Sequence, residues 1–303
     1  MAEESAKKEN IEKSEIFESV LDGKYGVKRH ELEIKSNALS AKLNKPKGKY
    51  ITIFAQDVDT YDTDKRKYLI RVVAKALKDL ISKEVLKPKY SVLIVGLGNK
   101  NITADSLGVC VSDKMLVTRH LQNIENGLAK KLNVLSTVST SVLGMTGIES
   151  FEIVTGIKER INPDLIICVD SLASLTVKRL SSTFQLSNAG IVPGSGTNSI
   201  GNKIIDKNTM GTPVIAVGVP LVVYAQNIVE DVIGETAEIL KADKQGLNGM
   251  DITKKIIPQM LGDMIVTPKD IDKIVENCSE IVAKAITLAV HNNLSIDDVM
   301  QLN

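Results

Sequence analysis

Two aspartates stand out for what precedes them. Asp105 lies shortly after the run Val92, Leu93, Ile94, Val95 and the glycines Gly96 and Gly98, and Asp170 follows directly on the run from Leu165 to Val169. Continuous β-branched and aliphatic runs bounded by turn signals read as strands buried on both faces of a parallel sheet. The carboxyl ends of such strands are where open α/β sheets place their chemistry. Two acids delivered to one crevice repel each other when both ionise, so one pKa rises and the pair holds a proton at neutral pH. One acid can then activate water while the other protonates a carbonyl or a leaving nitrogen, as hydrolysis of a peptide bond requires. Both residues also suit a plainer role, because Asp caps helices well and each precedes a candidate helix, at Ser106 and at Ser171.

Other polar residues near these runs invite a role. Asn99 would orient a water or a substrate carbonyl near Asp105, or simply close an Asx turn. Arg119 and His120 end a candidate helix, where positive charge complements the dipole, and His120 is also a candidate supporting group in the crevice. Gly194, Ser195 and Gly196 form either a turn or a flexible wall that clasps an extended peptide. Ser195 lacks the GxSxG flanks of a nucleophilic serine. The run VGLGN has Asn101 where GxGxxG needs a third glycine, and no GxxxxGK[ST] is present, so no nucleotide cofactor is expected. The histidines His30, His120 and His291 and the cysteines Cys110, Cys168 and Cys278 are scattered, without HExxH or CxxC spacing. No metal is expected, and the thiols read as reduced and structural.

The charge balance excludes several classes of partner. With 38 basic and 37 acidic side chains the net charge is +1, which gives no reason to expect a nucleic-acid surface. Aromatic residues make up only 3% and Trp is absent, so stacking platforms are not expected. Hydrophobic residues at 43% and charged residues at 25% fit a globular protein with a substantial core. The opening MAEESAKKENIEKSE is charged, and no apolar stretch is long enough for a membrane span, so neither a secretory signal nor a membrane anchor is read here.

The elements that must position the two acids follow from spacing. Residues 1 to about 20 read as a solvated tail or removable leader. A strand is expected over 49–55 and a helix over 62–85. With the strand at 91–97 these form a strand, crossover helix, strand unit for which right-handed parallel pairing is the default. A helix follows over 106–121, another over 148–161 stopped by Pro163, and a short one from Ser171 to about Leu180. Residues 183–187 and 189–192 suggest a small hairpin before a long polar loop. Val214 to Val219 gives a third buried strand ending at Pro220, followed by a helix over 222–240. Thr267, Pro268 and Asp270 predict a helix start for 268–292, and Ser295, Asp297 and Asp298 open a last short helix.

Six ordered segments carry a family resemblance: VGLGNKNITADSLGV, LVTRHL at 116–121, GMTGIES at 144–150, IICVDSLAS at 166–174, GIVPGSG at 190–196 and MGTPVIAVGVP at 210–220. Together with MIVTPKDID at 264–272 they resemble the spore germination protease family. The resemblance implies an α/β fold, a three-layer arrangement with a mostly parallel sheet flanked by helices, similar to hydrogenase maturation proteases. It also implies an aspartic-type endopeptidase without a required metal, degrading small acid-soluble spore proteins in the cytoplasm of the germinating spore, the spore core. The family's two candidate catalytic aspartates fall on Asp105 and Asp170. Members are typically zymogens that lose an N-terminal leader, and they assemble as tetramers. The corresponding division here is a charged leader over 1–30 and a single α/β peptidase domain over 31–303. This chain departs from the family pattern at RHELEIK, 29–35, where RTDLAVE is common, and at Leu175, Asn188 and Tyr224, where the family carries charges. Two rival readings follow, a maturation-type peptidase guided by a metal on its substrate through Asp105, Asp170 and His120, and a non-catalytic paralogue that binds spore proteins.

Overall fold

The structure is a computed structural model that describes residues 21–56, 62–123, 127, 129–194, 203–239 and 260–302. The strands are β1 (Leu21–Asp22), β2 (Lys28–Ile34), β3 (Gly48–Phe54), β4 (Ser91–Gly96), β5 (Val134–Ser139), β6 (Leu165–Ser174), β7 (Thr183–Ser187), β8 (Val214–Tyr224) and β9 (Ile265–Val266). The helices are α1 (Asn37–Leu43), α2 (Thr63–Glu84), α3 (Leu107–Asp113), α4 (Leu143–Thr146), α5 (Ser150–Ile161), α6 (Lys207–Met210), α7 (Ala225–Ile239), α8 (Ile271–Val290) and α9 (Ile296–Gln301).

Among the described residues the strands join in one sheet of order β1-β2-β3-β7-β8-β6-β4-β5, with β9 added to the end of β8. Its centre, β8-β6-β4-β5, is parallel, and the flank of β1, β2, β3 and β7 is antiparallel. The parallel strands are apolar on both sides because both faces are covered. Val92 and Ile94 join Leu165, Ile167 and Val169 in a core shared with α2, α3 and α8, whereas Leu93 and Val95 join Ile166 and Cys168 against Val154 and Phe151 of α5. This is a three-layer α/β fold with a mostly parallel central sheet.

Helix α2 forms because Leu69, Ile70, Val73, Leu77, Leu80 and Ile81 recur at helical spacing and are all buried, while Asp62 caps its start by accepting from the Asp64 and Lys65 amides at 2.9 and 3.0 Å. Helix α5 ends at Asn162, in the left-handed conformation at φ 45°, just before Pro163.

Several sequence expectations are corrected. The helix over 62–85 does not cross between neighbouring strands: β3 and β4 run the same way, but β7, β8 and β6 lie between them. Local pattern sets a strand's direction and not its partner. The helix over 106–121 stops at Asp113. No helix starts at Ser171, because β6 runs on to Ser174 and pairs with β8 up to Val223. Strand β8 likewise passes through Pro220 to Tyr224. Residues 189–192 do not complete a hairpin with β7, which pairs with β3 and β8 instead, and Ile191 forms only an isolated bridge to Ile205. Helix α8 begins at Ile271, with Asp270 in the capping position, three residues later than its sequence signals suggest. Apart from these corrections, the division expected at residue 30 lies within β2, where Arg29 is buried and ion-paired to Glu31 and, at 2.6 Å, to Asp79 of α2. Residues 1–20 themselves lie outside the described residues.

Candidate active site

Strand β4 ends at Gly96, paired with Val169 of β6, so Asp170 is the first residue of β6 to extend beyond its neighbour. Its own register partner on the other side is Gly218 of β8. By strand alternation Asp170 projects to the face of Ile166 and Cys168. The β4 chain meanwhile turns away through Leu97, whose amide donates to the Val169 carbonyl at 2.9 Å, and returns at the turn 103–105 that carries Asp105.

That turn is fixed by two residues that precede it, Gly98 and Asn99. The Asn99 amide donates both to the Asp105 carbonyl, at 3.0 Å, and to Asp105 Oδ2, at 2.8 Å. What comes close to the glycine loop is the chain itself: Gly98 has φ +105°, and a Cβ there would sit 1.9 Å from the Asp105 carbonyl oxygen. Glycine is therefore required to seat Asp105. The Asn99 side chain accepts from the Asn101 amide at 3.0 Å, the Asx turn, so Asn99 serves the site through its backbone.

Neither aspartate is a helix cap. Helix α3 starts after Ser106 with no side-chain cap, and Asp170 is inside a strand. Asp170 is buried, with 9% of its surface exposed, and its Oδ1 accepts from the Ser171 amide at 2.9 Å. Burial, and next the charge of Asp105, push its carboxyl up to about 8 against an ordinary value of 3.8, with the Ser171 amide opposing. The Asp105 carboxyl is also raised, by burial, against the pull of the Asn99 amide. The two acids thus lie near enough for the charge of Asp105 to add to burial in raising Asp170, which favours the neutral form of Asp170 at pH 7. One residue that sequence reasoning did not single out also lies here: Ser171 Oγ accepts from the Leu107 amide at 3.4 Å, tying β6 to the start of α3. The Asp-Ser pair was visible, but its reach to α3 was not.

His120 is not in the crevice. Thr118, two residues earlier, donates from its amide to the Leu135 carbonyl at 3.0 Å and from Oγ1 to the Asn133 carbonyl at 2.6 Å, which anchors this segment at the start of β5. Leu135 is level with Val92, at the opposite end of the sheet from Asp170, roughly 16 Å away along the strands. His120 is exposed there, so the trio Asp105, Asp170 and His120 is not assembled. Among the described residues no three His, Cys, Asp or Glu side chains are grouped to hold a metal ion. Gly194 is described, exposed, at φ +67°; Ser195 lies outside the described residues. The bridge between Ile191 and Ile205 holds the base of this loop on the face of the sheet toward which Asp170 projects, since Ile205 packs with Leu97 and Cys168. Of the positions that depart from the family pattern, Leu175 is exposed just beyond β6, Tyr224 pairs with Ile265, and Asn188 bridges the Lys49 amide and Glu84. No helix among the described residues is long and apolar enough to cross a membrane.

A sheet of this kind with a coupled acid pair at its carboxyl ends defines an α/β protein with a site suited to acid/base chemistry. The germination protease family profile matches residues 1–251, and the chain belongs to that family, a family of proteases. It is 39% identical over 272 residues to the germination protease of Clostridium acetobutylicum, covering 85% of this chain and 83% of that one. It is 34% identical over 289 residues to that of Clostridium tetani, covering 90% and 88%, and 35% identical over 297 residues to that of Caldanaerobacter subterraneus, covering 93% and 90%. Among solved structures, a [NiFe] hydrogenase maturation protease, HycI from Thermococcus kodakarensis, aligns over 70% of this chain and 98% of its own, at 16% identity and a TM-score of 0.35.

Proposed function

We propose that the chain is an aspartic-type endopeptidase in which Asp105 and Asp170 act as an acid/base pair on water, and that it degrades small acid-soluble spore proteins at germination. The observation that carries this reading is the placement of Asp170, buried just past the end of β4, where burial and the charge of Asp105 both raise its carboxyl. The ionised Asp105 takes a proton from the attacking water, and the neutral Asp170 donates to the carbonyl oxygen as charge develops there. Burial makes that donation count for more, because little water competes for the developing charge. After the tetrahedral intermediate forms, the proton gained by Asp105 passes to the leaving nitrogen and Asp170 regains its own. The pair ends as it began.

Exposed apolar side chains at the same end of the sheet, Leu143, Met145 and Ile148 after β5 and Leu175 and Val177 after β6, offer contacts for an extended peptide crossing the strand ends. On this reading the enzyme works in the spore cytoplasm, assembles as a homotetramer, is made as a zymogen, and uses neither metal nor cofactor. A removable leader compatible with the sheet ends before β2, because β2 carries buried Arg29, Leu32 and Ile34.

The test is to incubate the purified chain and its Asp105→Asn and Asp170→Asn variants with small acid-soluble proteins. The expected result is fragments from the parent and a loss of at least about a hundredfold in either variant, the scale of removing a general acid or base. Binding without fragments in the parent would assign it instead to a non-catalytic paralogue, and full activity in either variant would remove the mechanism.

A further inference from the structure

The acid pair is only as good as its geometry, and the two carboxyls come from segments 65 positions apart. Helix α3 follows Asp105 by two residues, and its Gly108 lies against the last rung between β4 and β6. A Cβ on Gly108 would fall 2.3 Å from the Val169 carbonyl oxygen, 2.4 Å from the Leu97 carbonyl oxygen and 2.5 Å from the Leu97 nitrogen. The Leu97 amide and the Val169 carbonyl are the two partners of that rung, which immediately precedes Asp170. The contact is mutual, since a Cβ on Gly96 would lie 2.2 Å from the Gly108 carbonyl oxygen. One residue before Gly108, the Leu107 amide donates to Ser171 Oγ at 3.4 Å. Helix and strand therefore meet backbone to backbone beside the site.

We propose that Gly108 and Ser171 are positioning residues for the carboxylate pair: the missing side chain at 108 lets the Asp105-bearing turn seat on the β4–β6 rung, and the Ser171 hydroxyl holds it there. This rests on the acid-pair reading above and extends it to residues that touch no substrate. Gly108 has no positive φ, so the demand for glycine comes from contact and not from backbone conformation. Even one methyl must push α3 outward, because 2.3 Å is far inside van der Waals contact. That movement carries Asp105 away from Asp170 and admits water between them. The titratable groups that interact with Asp170 among the described residues are Asp105 and Cys168. Cys168 is fully buried in β6 and does not ride on α3, so a change in Asp170 titration on moving α3 reports on Asp105.

The experiment follows the Asp105 and Asp170 side-chain carboxyls by 13C NMR across pH in the full chain, for the parent, Gly108→Ala, Ser171→Ala and the control Gly156→Ala. A Cβ at Gly156, in α5, meets nothing within 4 Å. The Asp170 midpoint is expected to fall by about half a unit or more in Gly108→Ala, the scale of an ångström of added separation between partly buried charges. It falls less in Ser171→Ala, which removes a tie without adding a clash, and stays put in Gly156→Ala. The descending limb of the cleavage rate against pH shifts with it, which a merely destabilised fold would not produce. An Asp170 midpoint equal to the parent's in both Gly108→Ala and Ser171→Ala overturns the proposal. If Gly108→Ala does not fold, Ser171→Ala decides alone. The titration is read without any substrate, so it stands or falls separately from the proteolytic reading, which the Asp→Asn cleavage assay tests.

Discussion

Replacing Asp170 by Asn should stabilise the protein, and by an amount that depends on pH. The folded state holds this carboxyl at about 8 against an ordinary 3.8, so between those values the folded chain binds a proton that the unfolded chain has released. A raised carboxyl pKa of this kind gives a contribution fully present below about 4 and lost progressively as pH rises toward 8. At about 1.4 kcal/mol per unit, Asp170 costs on the order of 4 kcal/mol at pH 7 relative to a group that never ionises. Asn is such a group, matches Asp in shape and still accepts from the Ser171 amide. Urea unfolding of the parent and Asp170→Asn at pH 4, 5.5, 7 and 8 measures this. The variant's advantage should be under about 1 kcal/mol at pH 4 and grow to on the order of 5 kcal/mol at pH 8. On the proposed mechanism, the variant that loses proteolysis becomes the more stable protein, as expected where an active site stores strain or desolvation. An advantage that does not change with pH would refute the reasoning, because it would mean that Asp170 ionises in the folded state as readily as in the unfolded one.

Two further outcomes follow from the same structure. His120→Ala should leave both kcat/KM and its pH dependence within a factor of about two of the parent, since this exposed residue lies at the other end of the sheet; a tenfold loss in the cleavage assay would place the site elsewhere. A chain begun at residue 21 keeps every strand pairing described above, whereas one begun at residue 35 loses Val27, Leu32 and Ile34 from the core. That is roughly 5 to 9 kcal/mol of apolar burial, comparable to the whole stability of a typical domain, and circular dichroism should show the shorter chain unfolded at 37 °C.

The sequence by itself determined a good deal of this protein. Continuous apolar runs located β4, β6 and β8, because strands covered on both faces need no polar residue to interrupt them. Helical spacing located α2, the stop at Pro163 bounded α5, the start signals Thr267, Pro268 and Asp270 announced α8, and the six ordered segments pointed to the family. The same runs led to Asp105 and Asp170, since a carboxylate just past a buried strand is conspicuous in the chain.

Tertiary structure alone decided the rest, because pairing and burial are relations between distant segments. No local signal told that β7, β8 and β6 would separate β3 from β4, or that β6 would continue through Asp170 where its neighbour stops. That overhang makes Asp170 a buried group facing another acid and not a solvated cap. His120, which follows α3 after a short connection, was carried to the far end of the sheet because α3 runs back along the strands before β5 begins. Gly108 lies within the first of the ordered segments, but nothing there set it apart from its neighbours: its importance exists only where a helix backbone and a strand rung occupy neighbouring space.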